Sequence, residues 1–138
     1  MRILIDTNVL LDLLAERKPF YEHAKIIIDL CDFKKIEGMI SAHSVTNIFY
    51  ILRKSFGNDE TRDILLNLCS IFKIENIDEV KIISSLKNKN FKDFEDCLQM
   101  ECAISSNADY IITRDKKDFA NSLIPCLTPE EFCQMSDE

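Results

Sequence analysis

A chain of 138 residues is long enough to bury one core and too short for two. Hydrophobic residues make up 46 % of it, which argues for a globular fold. The formal net charge of −7 argues against a general nucleic-acid coat, whose footprint is a basic surface, but leaves room for an enzyme that meets nucleic acid through a cation and a local basic patch.

In chain order, residues 2–5 read as a buried strand, followed by a short helix over 8–15 with Val9, Leu10, Leu13 and Leu14 on one side. A second helix spans 20–33, with Phe20, Ala24, Ile27, Ile28 and Cys31 at helical spacing. A short strand is expected at 38–41. A helix over 43–55 follows, carrying Val45, Ile48, Phe49 and Leu52 at i, i+3, i+4 and i+7. Gly57 and Asn58 break the chain, and 59–70 resumes a helix. "IFKI" at 71–74 reads as a strand, 78–87 as a helix, and 94–106 as a helix apolar on most faces and therefore deep in the fold. Strands at 109–113 and 123–127 and a closing helix at 129–135, with Pro129 in its first turn, complete the chain. Strands alternating with helices imply a parallel sheet covered on both faces.

Two glycines are too few for G-x-G-x-x-G or Walker A loops. The six cysteines form no C-x-x-C pair, and His23 and His43 lie far from any zinc spacing. No apolar run approaches the ~20 residues of a membrane span, and no signal-type segment leads the chain. The expectation is a soluble, reduced, cytoplasmic single domain over 1–138.

In open parallel sheets, sites form beyond the carboxyl ends of strands at the switch in strand order. ILIDTN ends in Asp6 and YIITRD in Thr113, Arg114 and Asp115; if these strands are neighbours, Asp6 and Asp115 converge. Asp96 opens the most buried helix, with Met100 and Ala103 further along its face. Asp93 and Glu95 beside it read first as helix capping and dipole complementarity. Asp12 and Asp118 read as solvated or capping. Three carboxylates at the ends of buried elements repel one another unless a cation sits between them. Oxygen donors without His or Cys suit Mg²⁺ or Mn²⁺, which assist phosphoryl displacement by water.

"ILIDTNVLLDLL", "DCLQMECA" and "YIITRDKKDF" together resemble a PIN domain, of the small group that includes VapC-like toxins. The resemblance covers nearly the whole chain. It implies a three-layer α/β/α sandwich around a mainly parallel sheet of four to five strands. It also implies a ribonuclease dependent on Mg²⁺ or Mn²⁺, with Asp6, Asp96 and Asp115 as first, third and fourth acids. Asn8 then falls on the Asn of D-T-N, and Thr113 on the hydroxyl residue before the last acid. The second acid departs: Asn47 stands at or beside the expected Glu, and losing that anion weakens cation attraction by on the order of a few kcal/mol unless a neighbour such as Asp93 compensates.

Arg53, Lys54, Lys87, Lys89, Lys92, Arg114, Lys116 and Lys117 lie near the proposed opening. Arg114, Lys116 and Lys117 are the leading RNA contacts because they flank Asp115. The resemblance further implies a homodimer and a small antitoxin partner. Two other readings compete: a PIN-fold module that binds RNA or a partner without cutting, and a HAD-type phosphatase with Asp6 as nucleophile.

Overall fold

The computed structural model describes residues 1–136. Five strands, β1 (Arg2–Ile5), β2 (Glu37–Ser41), β3 (Lys73–Glu75), β4 (Tyr110–Ile112) and β5 (Cys126–Leu127), form one sheet in the order β3-β2-β1-β4-β5. Every pairing is parallel. Among the described residues, α1 (Thr7–Leu14), α2 (Tyr21–Asp32), α3 (Ala42–Ile71), α4 (Glu79–Lys87) and α5 (Phe94–Ser105) lie between strands, and α6 (Pro129–Ser136) follows the last one.

Strand alternation explains the three layers. Ile3 and Ile5 of β1, Ile40 of β2 and Ile112 of β4 join one core with α1, α2, α3 and α6. Leu4, Met39 and Ile111, one residue out of phase, join a second core under α5 with Cys97, Met100 and Ala103. Successive side chains of a strand point to opposite faces, so each of these strands feeds both layers. Gly38 sits where β2 passes closest to its cover. A Cβ there would stand 2.7 Å from Cys31 Sγ and the Phe72 ring, so only glycine fits without displacing them.

The expected break at Gly57 is real but local. The helical run is counted as one from Ala42 to Ile71, and Gly57 interrupts it at φ 75°, ψ 175°. The strand expected at 71–74 starts later, because Ile71 still belongs to the helix and Phe72 caps it. The strand expected at 123–127 shrinks to two residues, with Leu123 78 % exposed. Helix α5 buries Cys97 through Met100, Cys102 and Ala103, but Phe94 and Ile104 face outward, so it is covered on fewer sides than its composition implies.

β1 and β4 are adjacent, in the register Ile3↔Tyr110, Leu4↔Ile111 and Ile5↔Ile112. The sequence order of the strands reverses between them, and that crevice lies at their carboxyl ends. Asp6 N–H donates to Ile112 O at 3.0 Å, extending the ladder to the tip of both strands.

Candidate active site

Asp6 is the residue on which the crevice is built. It is 7 % exposed and occupies the N-cap of α1, where its Oδ1 accepts the Thr7 N–H at 2.9 Å. Its Oδ2 accepts the Thr113 hydroxyl at 2.9 Å, a bond between positions 107 residues apart. The Gln99 amide donates to Asp6 Oδ1 at 3.4 Å, to Thr7 Oγ1 at 3.2 Å and to Ser44 Oγ at 3.0 Å. Capping and site-building are thus one role here. Burial pushes the Asp6 pKa above the ordinary carboxylate range; the Thr113 and Thr7 bonds oppose that, and nearby Asp115 adds to it.

Around Asp6 lies a cavity of about 320 Å³ lined by Asn8, Asn47, Asp93, Asp96, Asp115 and Asp118, among others. The structure therefore brings the three sequence-selected acids to one cleft, with Asn8, Asn47 and Asp93 at its walls. Asp96 projects from the first turn of α5, where Asp93 caps the helix by accepting its N–H at 3.0 Å. Burial, then the charges of Asp93, Asp6, Asp118 and Asp115, raise the Asp96 pKa from 3.8 to about 7. Asp115 is held by its own backbone, whose N–H donates to Thr113 Oγ1 at 3.1 Å.

These acids repel one another, and the donors that satisfy Asp6 are neutral. An all-oxygen cluster of this kind suits a hard divalent cation. Among the described residues, no three His, Cys, Asp or Glu side chains stand close enough to ligate one ion as they are. The cleft has the donor chemistry for Mg²⁺ or Mn²⁺ without forming a closed cage.

Asn47 opens onto the same cavity from α3. Its amide lies 3.1 Å from His43 Nε2, and that nitrogen is 3.2 Å from Glu95 Oε1. Nε2 carries one hydrogen at most. When present, that hydrogen goes to Glu95; when absent, Nε2 instead accepts from the Asn47 amide nitrogen that faces it. A histidine and a glutamate, both outside the sequence-selected set, thus stand beside the place of the missing acid.

The basic residues sort differently from the expectation. Arg114 does not project as a free cation. Its Nε donates to Asp12 Oδ2 at 2.7 Å and its Nη2 to Asp12 Oδ1 at 3.1 Å, while its Cζ lies 4.0 Å from the Phe20 ring centroid. Asp12, expected to be solvated or capping, is instead fully buried at 0 % exposure. Lys116 pairs with Glu131 at 3.0 Å. Of the three residues flanking Asp115, Lys117 alone makes no ion pair among the described residues.

The sequence does not single out Gln99 and Thr7, which bond Asp6, or Ser44, which bonds both of them. The signal for Gln99 was present: an amide buried in the middle of an apolar helix needs a polar partner.

The PIN domain family model matches residues 2–117. The chain belongs to the PIN domain family. Among PIN relatives, it is similar to Ribonuclease VapC1 of Aquifex aeolicus (strain VF5), 29 % identical over 136 residues, covering 96 % of this chain and 94 % of the relative. A toxin–antitoxin complex from Klebsiella pneumoniae contains a chain with 26 % identity and a TM-score of 0.68, covering 92 % of this chain and 97 % of that one. VapBC2 from Rickettsia felis, solved bound to a promoter DNA fragment, shares the PIN fold at 18 % identity and a TM-score of 0.65, covering 93 % and 98 %. No helix among the described residues is long and apolar enough to cross a membrane.

Proposed function

We propose that this PIN domain is a divalent-metal-dependent endoribonuclease, the toxin of a toxin–antitoxin pair, working in the cytoplasm as one domain over residues 1–138. The observation that carries the reading is the convergence of Asp6, Asp96 and Asp115 on one cleft at the strand-order switch. The likeness to a VapC ribonuclease and to a toxin–antitoxin complex supports it. Asp6, Asp96 and Asp115 would hold Mg²⁺ or Mn²⁺, with Asn8 and Asn47 supplying neutral oxygens. When bound, the ion supplies stabilisation of the charge developing on a phosphodiester and a more acidic water. Thr113 and Gln99 orient Asp6, and Asp93 fixes the first turn carrying Asp96. By analogy with the relatives, the partners are an RNA substrate, a small antitoxin and a second copy of the chain.

The test is cleavage of RNA with Mg²⁺ or Mn²⁺ by the wild type and by Asp6→Ala, Asp96→Ala and Asp115→Ala. Loss in all three supports the reading; metal-dependent cleavage that persists in them overturns it.

Asn47 favours a second reading, a PIN module that binds RNA or a partner without cutting. Calorimetry with Mn²⁺ separates the two. No heat at millimolar Mn²⁺ supports the binding module, whereas tighter binding on Asn47→Glu identifies position 47 as the site's missing anion.

A further inference from the structure

A second cavity of about 530 Å³ adjoins the acid cleft. Asp93, Asp96 and Asp118 line both, so the two cavities share a wall. The rest of the second cavity's lining is different in kind. Lys92 and Lys117 stand there with Asn90 and Asn121. The Asn121 amide donates to Asn90 O at 2.8 Å, tying the loop before α5 to the segment after the one-turn 3-10 helix Lys116–Phe119. Beneath them, Phe91 and Phe119 meet edge to face at 6.3 Å and are buried. The wall is thus laid on a packed base.

The two lysines matter because the other cations near Asp115 are occupied. Arg114 is bound by Asp12 and Lys116 by Glu131. Among the described residues, Lys92 and Lys117 make no ion pair, although three carboxylates share their cavity. The acid cleft itself contains no lysine or arginine in its lining. Cationic charge is therefore available beside the cleft at Lys92 and Lys117. A volume in the ~300–1,000 Å³ range of ligand pockets is of the right order for one nucleotide.

We propose that this second cavity is a subsite for a single-stranded RNA nucleotide next to the scissile phosphodiester, with its backbone phosphate held by Lys92 and Lys117. The inference rests on the ribonuclease reading and adds a direction to it. The strand leaves the acid cleft over α5's first turn and the Lys116–Phe119 turn, not over α3. It also keeps Lys117 from the expected contacts and puts Lys92 in place of Arg114 and Lys116 as the second residue that tracks the backbone. A protein segment as occupant is less well matched, since among the described residues the lining not shared with the acid cleft offers two unpaired cations beside carboxylates.

The probe is an end-labelled single-stranded RNA of mixed sequence, bound to the full chain carrying Asp6→Asn so that the probe survives. Anisotropy is read across a salt series in Mg²⁺. Lys92→Ala with Lys117→Ala should weaken binding about 10-fold or more and flatten the salt dependence by about 0.7 in log–log slope, the value for one single-strand phosphate contact. Lys34→Ala with Lys73→Ala changes net charge equally at the opposite end of the sheet and should leave both readings near their starting values. Equal weakening by the two pairs reduces the effect to net charge and overturns the subsite. Undiminished RNA binding by the Lys92/Lys117 pair overturns the subsite and leaves the ribonuclease reading intact. No RNA binding here, together with no cleavage by the wild type, overturns both.

Discussion

Asp6 and Asp12 are buried on the same short stretch of chain, and the protein treats them in opposite ways. Asp12 is surrounded by positive charge: Arg114 binds both of its oxygens, and Arg17 approaches to 3.8 Å. Asp6 is surrounded by neutral donors and by other acids. Burial pushes both carboxyls toward the protonated form, and only Asp12 has guanidinium bonds to pull it back. A buried acid that is neutralised internally belongs to the scaffold. One that is hydrogen-bonded only by neutral groups, with the Arg114 charge acting on it without a bond, has electrostatic work still to do on something that arrives from outside.

Substituting the two aspartates sharpens that contrast most. Asp6→Asn should lower RNA cleavage by about 10³-fold, several kcal/mol of lost transition-state stabilisation, while thermal unfolding stays at the wild-type temperature or rises. Asp12→Asn should do the reverse. It leaves the Arg114 charge unmatched, and a loss of about 2–3 kcal/mol is expected, lowering Tm by about 5–10 °C, with residual activity following the folded fraction. That figure is below the ~3–5 kcal/mol of fully buried pairs because the Arg114 side chain keeps 23 % exposure. Equal effects on stability from the two variants would erase the distinction.

A smaller effect comes from the residue that links Asp6 to α5. Gln99→Ala removes the amide shared by Asp6, Thr7 and Ser44. Mn²⁺ affinity should fall about 10–100-fold, as for other groups that orient a ligand, with the isothermal titration still showing one class of site. Gln99→Glu restores length but turns the donor into a repelling acid and should not rescue.

A separate effect, on pH dependence, comes from Asp96. Asp96 holds its proton to about pH 7 in the fold, against 3.8 as its ordinary value. Between those limits the native state binds more protons than the unfolded chain, so metal-free stability declines as pH rises through that window. Chemical denaturation from pH 4 to 7 should show the decline in the wild type and a flatter profile in Asp96→Asn.

Much of this was legible in one dimension. ILIDTN and YIITRD are each an apolar strand with a polar tip, and parallel pairing of β1 with β4 needs nothing more to bring Asp6 near Asp115. Asp96 could be selected because it opens a helix whose composition demanded burial. The Asp12–Arg114 pair could not be read the same way. Its partners are 102 residues apart, and a lone aspartate in an apolar helix looks the same whether an arginine or water meets it. The same limit hid the role of Arg114, which reads as a phosphate contact until Asp12 and Phe20 are seen to enclose it. Element ends drifted where capping decided them, as at Phe72, whose backbone N–H still closes on Leu68 O after the helix ends.

Thr113 has one hydroxyl proton. The Asp115 N–H can only donate, so it takes a lone pair of that oxygen, and the hydroxyl's own proton goes to Asp6. With Asp6 ionised, the direction of both bonds is therefore forced. Rotational freedom that Asp6 and the Asp115 backbone would otherwise keep until an ion arrived is surrendered when the chain folds, so less ordering entropy is left to oppose each binding event. A threonine at the end of an inner strand thus sets how much of an ion's affinity survives as measurable binding.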